Sequence, residues 1–180
     1  MVMVPPPPLT SITTLTTDLA GYNLSLTGGT NTFTSAVNFI NTGTLNLGNA
    51  SGDTFNFNGG VTESTSGTVT LASTINSSND AISFGVVTLG ANTTIDTNAS
   101  SNAADITLGA VTGGNNTLTL TTENNIAGAD VTASGAIAGV KTLTFANVGG
   151  TATLSGDVDV TTLTAGNTVA NVALPVTDHR

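Results

Sequence analysis

Apolar and polar residues alternate along this chain in short bursts. NLSL at 23–26 is followed by TLNLG (44–48), TFNFNGG (54–60), TVTL (68–71), AISFG (81–85) and VVTLG (86–90). The series continues with DITLG (105–109), TLTLTT (117–122), TLTFAN (142–147), TATLSG (151–156) and DVDV (157–160). A period of two over four to six residues predicts a strand with one apolar face. Turn formers bound these strands, among them Gly28-Gly29, Gly59-Gly60, Gly113-Gly114, Asn115-Asn116, Asn124-Asn125 and Gly149-Gly150.

Similar strands recur about every 20 to 25 residues, as in the steps Leu24 to Leu45, Leu45 to Val69, Ile82 to Ile106 and Leu118 to Leu143. Two all-β architectures accommodate such regularity: a parallel β-solenoid and an antiparallel β-sandwich. Three features favour the solenoid. Thr and Asn recur at corresponding strand positions, where stacked coils would form ladders. A flat, thin coil suits Leu, Val, Ile and Ala inside, and Trp is absent. The Asn-Gly turn typical of hairpins is scarce, with Asn58-Gly59 the example.

Coils of about 22 residues would give roughly eight turns and a rod about 40 Å long. Its interior would take Leu24, Leu26, Leu45, Leu47, Phe55, Phe57, Val69, Leu71, Ile82, Phe84, Leu89, Ile106, Leu108, Leu118, Leu120, Leu143, Phe145 and Leu154. The expected organisation is a proline-rich segment at 1–9, a single repeat domain at 10–176 and a polar tail at 177–180. The four prolines Pro5 to Pro8 favour an extended polyproline II spacer.

Composition narrows the picture. Thr is about one residue in five, and Thr and Val fit a pleated surface. Hydrophobic residues reach 38% and mean hydropathy is +0.25, which argues against disorder. Only 7% of the chain is charged, with 2 Lys+Arg, 11 Asp+Glu, one His and no Cys, for a net charge of -9. Disulfides and thiolate metal sites are therefore excluded. Nucleic-acid binding needs a cationic patch that these residues cannot build. Acid–base catalysis loses most of its usual groups. No apolar run is long enough to cross a membrane as a helix. The start, MVMVPPPP, lacks the basic and apolar regions of a secretory signal.

The stretch from Asp80 to Gly166 resembles the repeat regions of large bacterial exoproteins of the filamentous-haemagglutinin type and of autotransporter passenger domains. GVVTLGANTTIDT (85–97), DITLGAVTGGNNTLTLTTENNI (105–126) and KTLTFANVGGTATLSGDVDVTTLTAG (141–166) carry the resemblance. It covers about half the chain well and the first half loosely. It implies a right-handed parallel β-helix displayed at a bacterial cell surface, serving as an adhesin or stalk. The implied partner is a host or neighbouring-cell surface. Neither end shows an amphipathic capping helix, so an alternative is a subunit of an extracellular filament whose copies stack head to tail.

Candidate chemistry is sparse. Asp53, Asp80, Asp96, Asp105, Asp130, Asp157 and Asp159 fall at strand ends or in turns, where carboxylates commonly cap backbone. Calcium loops of the EF-hand or nonapeptide type are absent. Glu63 and Glu123 are the only glutamates and Lys141 the only internal cation, too few for a glycoside-cleaving constellation. Rows such as Thr117, Thr119, Thr121 and Thr142, Thr144 raise a water-ordering, ice-binding reading, but Ser, Asn and Asp interrupt them elsewhere. Asn-x-Ser/Thr sequons at Asn23, Asn49, Asn76, Asn92, Asn98 and Asn115 follow from composition. The expectation is a non-enzymatic extracellular protein with no catalytic, cofactor or metal residues.

Overall fold

In a computed structural model, which describes residues 11–65, 67–166 and 168–175, the chain winds into a β-solenoid of about six turns. The expected segments at 1–9 and 177–180 lie outside the described residues. Each coil contributes one strand to each of three faces. The first face stacks β1 (Leu24–Leu26), β4 (Thr44–Leu47), β7 (Thr68–Leu71), β10 (Val87–Leu89) and β13 (Val111–Thr112). The second stacks β2 (Thr30–Phe33), β5 (Thr54–Phe57), β8 (Thr74–Ser77), β11 (Thr93–Asp96) and β14 (Thr117–Thr121). The third stacks β3 (Val37–Phe39), β6 (Val61–Glu63), β9 (Ile82–Phe84), β12 (Ile106–Leu108), β15 (Val131–Ala133), β17 (Thr151–Leu154) and β19 (Asn171–Ala173). Two long strands, β16 (Ile137–Phe145) and β18 (Val158–Ala165), run around the corner and complete the first and second faces together.

Pairing between these strands is parallel, which excludes the antiparallel sandwich. The four register steps read from the sequence are all present: Leu24 opposite Leu45, Leu45 opposite Val69, Ile82 opposite Ile106 and Leu118 opposite Leu143. The expected eight coils become about six. The described residues ahead of β1 supply two isolated bridges, Ile12 to Phe33 and Thr16 to Asn38. Coils also vary, from 18 residues between Val69 and Val87 to 26 between Val111 and Ile137. At about 4.8 Å per rung the stack is nearer 30 Å long than 40 Å.

Burial follows the pleat. Strands such as TFNF and TATL place alternate residues inside, and their neighbours outside. Sixteen of the eighteen expected interior residues are buried; Leu24 and Leu26 are only partly so. These two belong to β1, which among the described residues has a strand neighbour on one side only. At the other end Leu163, in line with Leu143, is 39% exposed for the same reason.

One corner is too tight for side chains. Between the third and first faces a Cβ on Gly109 would lie 2.7 Å from the Gly85 carbonyl oxygen of the coil before it. Glycine lets successive backbones stack there at rung spacing.

Candidate functional site

The side chains at the corners tie one coil to the next. Asp105 Oδ1 accepts from the Asp130 N–H at 2.9 Å, and Asp130 Oδ1 accepts from the Thr151 N–H at 2.7 Å. Asn23 and Asn92 do the same for Thr44 and Thr117, each at 2.9 Å. Asp53 Oδ2 accepts from Asn49 N–H within its own turn. Asn79, in the left-handed region at φ 72°, accepts from three successive N–H groups, those of Ser100, Ser101 and Asn102. These are backbone donors that no strand partner reaches, and a short polar side chain satisfies them. Asp157 and Asp159 flank the inward Val158 and are exposed.

The two glutamates do not meet. Glu63 occupies an inward position on β6, opposite Phe39, and its Oε2 accepts from the Gly85 N–H at 3.1 Å. Glu123 lies three rungs further along, about 14 Å down the stack, in the turn that follows β14. Its partner is Asp96, at the end of β11 and 9% exposed. Burial pushes the Asp96 carboxyl up to about 6, and the charge and hydrogen bond of Glu123 add to the rise. The Asn98 N–H, donating to Asp96 Oδ1 at 2.8 Å, pulls the other way. Flanking strand neighbours of Asp96 are the uncharged Asn76 and Thr121. Retaining and inverting glycosidases hold their carboxyl groups about 5 Å or more apart. Two groups in direct hydrogen-bonded contact leave no such gap. The pair sits at the corner between the second and third faces.

That corner is enlarged. Residues 97–105 and 122–130 extend outward between the second and third faces, and Ala99, Ala104 and Ala129 form a small core of their own with Ile126. Glu123, Asn124 and Asn125 are left-handed in succession, at φ 53°, 43° and 51°. The Asn124 amide donates to the Ala99 carbonyl at 3.0 Å. Among the described residues no group of three or more His, Asp or Glu is placed to hold a metal ion. No helix of the described residues is long and apolar enough to cross a membrane.

The threonine rows resolve into columns. On the second face Thr30, Thr54, Thr74, Thr94, Thr119, Thr144 and Thr164 stand in register without interruption. The corresponding column on the first face reads Ser25, Asn46, Thr70, Thr88, Thr112, Ala138 and Asp159. On the third it reads Asn38, Thr62, Ser83, Thr107, Thr132, Thr153 and Ala173. A second threonine column beside the first exists only in the last coils, as Thr117, Thr142 and Thr162. A two-column array therefore spans three rungs. Elsewhere on this face amides take over: the Asn76 amide donates to Asn56 Oδ1 at 3.0 Å.

Comparison with family models, curated proteins and solved structures returns no match for this chain.

Proposed function

We propose that the chain is a non-enzymatic structural segment of a surface-displayed extracellular protein, an adhesin or stalk. One observation carries the reading. Much of the polar side-chain chemistry joins coil to coil, through Asn amides on neighbouring amides and carbonyls and through carboxylates on backbone N–H groups. A stack built this way is stiff, and each coil depends chiefly on its neighbours. Such a body suits spacing and display. The low charge and the scarcity of His, Lys and Arg support a scaffold over a catalyst. The resemblance of residues 80–166 to bacterial exoprotein repeats supports an extracellular setting. Adherence of chain-coated beads to bacterial and epithelial cells tests the reading. Coated beads that bind no better than albumin-coated ones count against an adhesin and leave only the stalk.

A second reading is a filament subunit. Leu163 on β18 is 39% exposed and Leu174 beyond β19 is 50% exposed. A further rung, from a second copy stacked head to tail, would cover them. Negative-stain microscopy separates the two: short particles at all concentrations favour the segment, and long unbranched fibres favour the filament.

A further inference from the structure

We propose that a groove at the corner between the first and second faces, beneath the turn Gly113–Asn116, binds a neutral saccharide. The groove has a volume of about 520 Å³, within the range of small-ligand sites. It arises from a change in how the chain rounds this corner. The coil above turns through Gly113–Asn116, which projects. The two coils below run straight through as β16 and β18. The turn and these two strands line the groove together.

The turn is held rigidly. Gly113 N–H donates to the Ala138 carbonyl, Asn115 N–H to the Gly139 carbonyl, and Lys141 N–H to the Asn116 carbonyl, at 2.8, 2.8 and 2.9 Å. Asn116 adds amide bonds to the Leu89 and Gly113 carbonyls. The strand pair contains a β-bulge: between β16 and β18 the register shifts at Ala138/Val140, so Gly139 has no opposite residue. Gly139 is left-handed, at φ 64°, and a Cβ there would meet nothing nearer than 3.9 Å. Bulges of this kind commonly sit beside functional sites.

The lining suits a sugar. Ala138 and the bare Cα of Gly139 give a small apolar strip for the C–H face of a pyranose, with the Val140 side chain turned into the core, while Thr112, Thr161, Asn115 and Asp159 offer hydroxyl, amide and carboxylate groups around it. Asn79, Asn98 and Asn124, which are also left-handed, bind the neighbouring coil with their side chains; Asn115 and Asp159 make no such bond and are free for a ligand. The Asp159 carboxylate and the net charge of -9 disfavour anionic glycans, phosphates and sulfates. Without an aromatic platform a single site would be weak, in the millimolar range, and would gain by repeated display.

This inference deepens the adhesive reading and rests on it for biological meaning, but its binding test does not. The whole chain, labelled with nitrogen-15, is titrated with maltotriose, cellotriose, chitotriose, lactose and, separately, a short lysine peptide. The expected result is saturable shifts for one or more sugars, confined to residues 111–116, 137–141 and 158–161. Asp159→Ala and Asn115→Ala lose them, while Thr107→Ala on the third face keeps them. Flat titrations with every sugar, shifts scattered over all three faces, or a response to the lysine peptide alone would overturn it. Adherence of Asp159→Ala beads separates the two claims. Asp159→Ala beads that adhere unchanged, together with flat titrations, sink the groove and leave the adhesin; wild-type beads that fail to adhere despite a clear sugar titration sink the adhesin and leave the groove.

Discussion

The coils before and after Asp80 fill the same three-sided tube with different material. Before it the core is aromatic: Phe33 and Phe57 stack at 4.9 Å, Phe39 meets Phe57 edge-on at 6.1 Å, and Phe55 lies parallel to Phe57 at 6.3 Å. After it the interior is Leu, Ile, Val and Ala, with Phe84 and Phe145 as exceptions. The later coils compensate at the corner, where residues 97–105 and 122–130 carry a second small core and the Asp96–Glu123 pair. Backbone hydrogen bonds fix the rise per rung in both halves. Differences in side-chain volume must then be absorbed sideways, within the tube or at its corners.

The largest expected effect breaks the aromatic half. Phe57 contacts three other rings, so Phe57→Ala leaves a cavity the rigid rungs cannot close and should cost about 3–5 kcal/mol. Ile126→Ala, in the half-buried corner core, should cost about 1 kcal/mol or less, because solvent can fill the space. Urea unfolding of both variants measures the difference. Equal losses would show that the corner core matters as much as the tube.

Next in size is the glycine corner. Gly109→Ala pushes a Cβ to 2.7 Å from backbone oxygen of the adjacent coil and should cost about 1–3 kcal/mol. Gly85→Ala meets only the Glu63 carboxylate at 3.0 Å, the movable end of a side chain, and should cost less. Thermal unfolding of the pair gives the order; the reverse order would mean that the backbone at 109 relaxes freely.

The carboxyl pair gives a pH signature confined to the later half. Asp96 holds its proton more tightly folded, at about 6, than unfolded, at 3.8. The folded state thus binds more protons between these values. Its contribution is full below about 4 and is lost as pH rises through 6. Wild-type melting temperature should fall over that window, and Asp96→Asn, which keeps the hydrogen bond without the charge, should flatten the fall. An identical slope in the variant would remove Asp96 from the account.

Much of this fold was legible in the sequence, and the exceptions share a cause. Strands with two apolar residues in alternation, such as TLNL, TFNF, DITLG and TLTL, announced both themselves and their register. β2, β3, β6, β8, β11, β13, β15 and β19 did not stand out. Several offer two to four residues and one strong apolar anchor, as Ile75 in β8 or Val111 in β13. Their strand character comes from the rungs above and below. The pairing of Asp96 with Glu123 was hidden because it crosses a coil and depends on two corner insertions. In the sequence Glu63 stands out only as a candidate catalytic carboxylate; its alternation with Val61 is the signal that it points inward. The turn at Gly113–Asn116 was visible as a glycine–asparagine cluster, but the straight corner below it could not be read from spacing alone.

The smallest effect concerns the faces. The unbroken threonine column of the second face either stabilises the stack more than the mixed columns do, or answers to something the face meets. Cross-strand Thr pairs contribute about 0.2–1 kcal/mol relative to Ala pairs. Thr94 sits between Thr74 and Thr119 in that column, and Thr88 sits between Thr70 and Thr112 on the first face. The shape-conserving changes Thr94→Val and Thr88→Val remove one hydroxyl from each. A ladder that acts only through stacking predicts equal losses, each within about 1 kcal/mol, because both positions have threonine above and below. A larger loss at Thr94, by chemical denaturation with unchanged m-value, would give the second face its own stabilising role. Equal losses would confine the effect to nearest-neighbour stacking, the same on both faces, and give the second face no stability of its own.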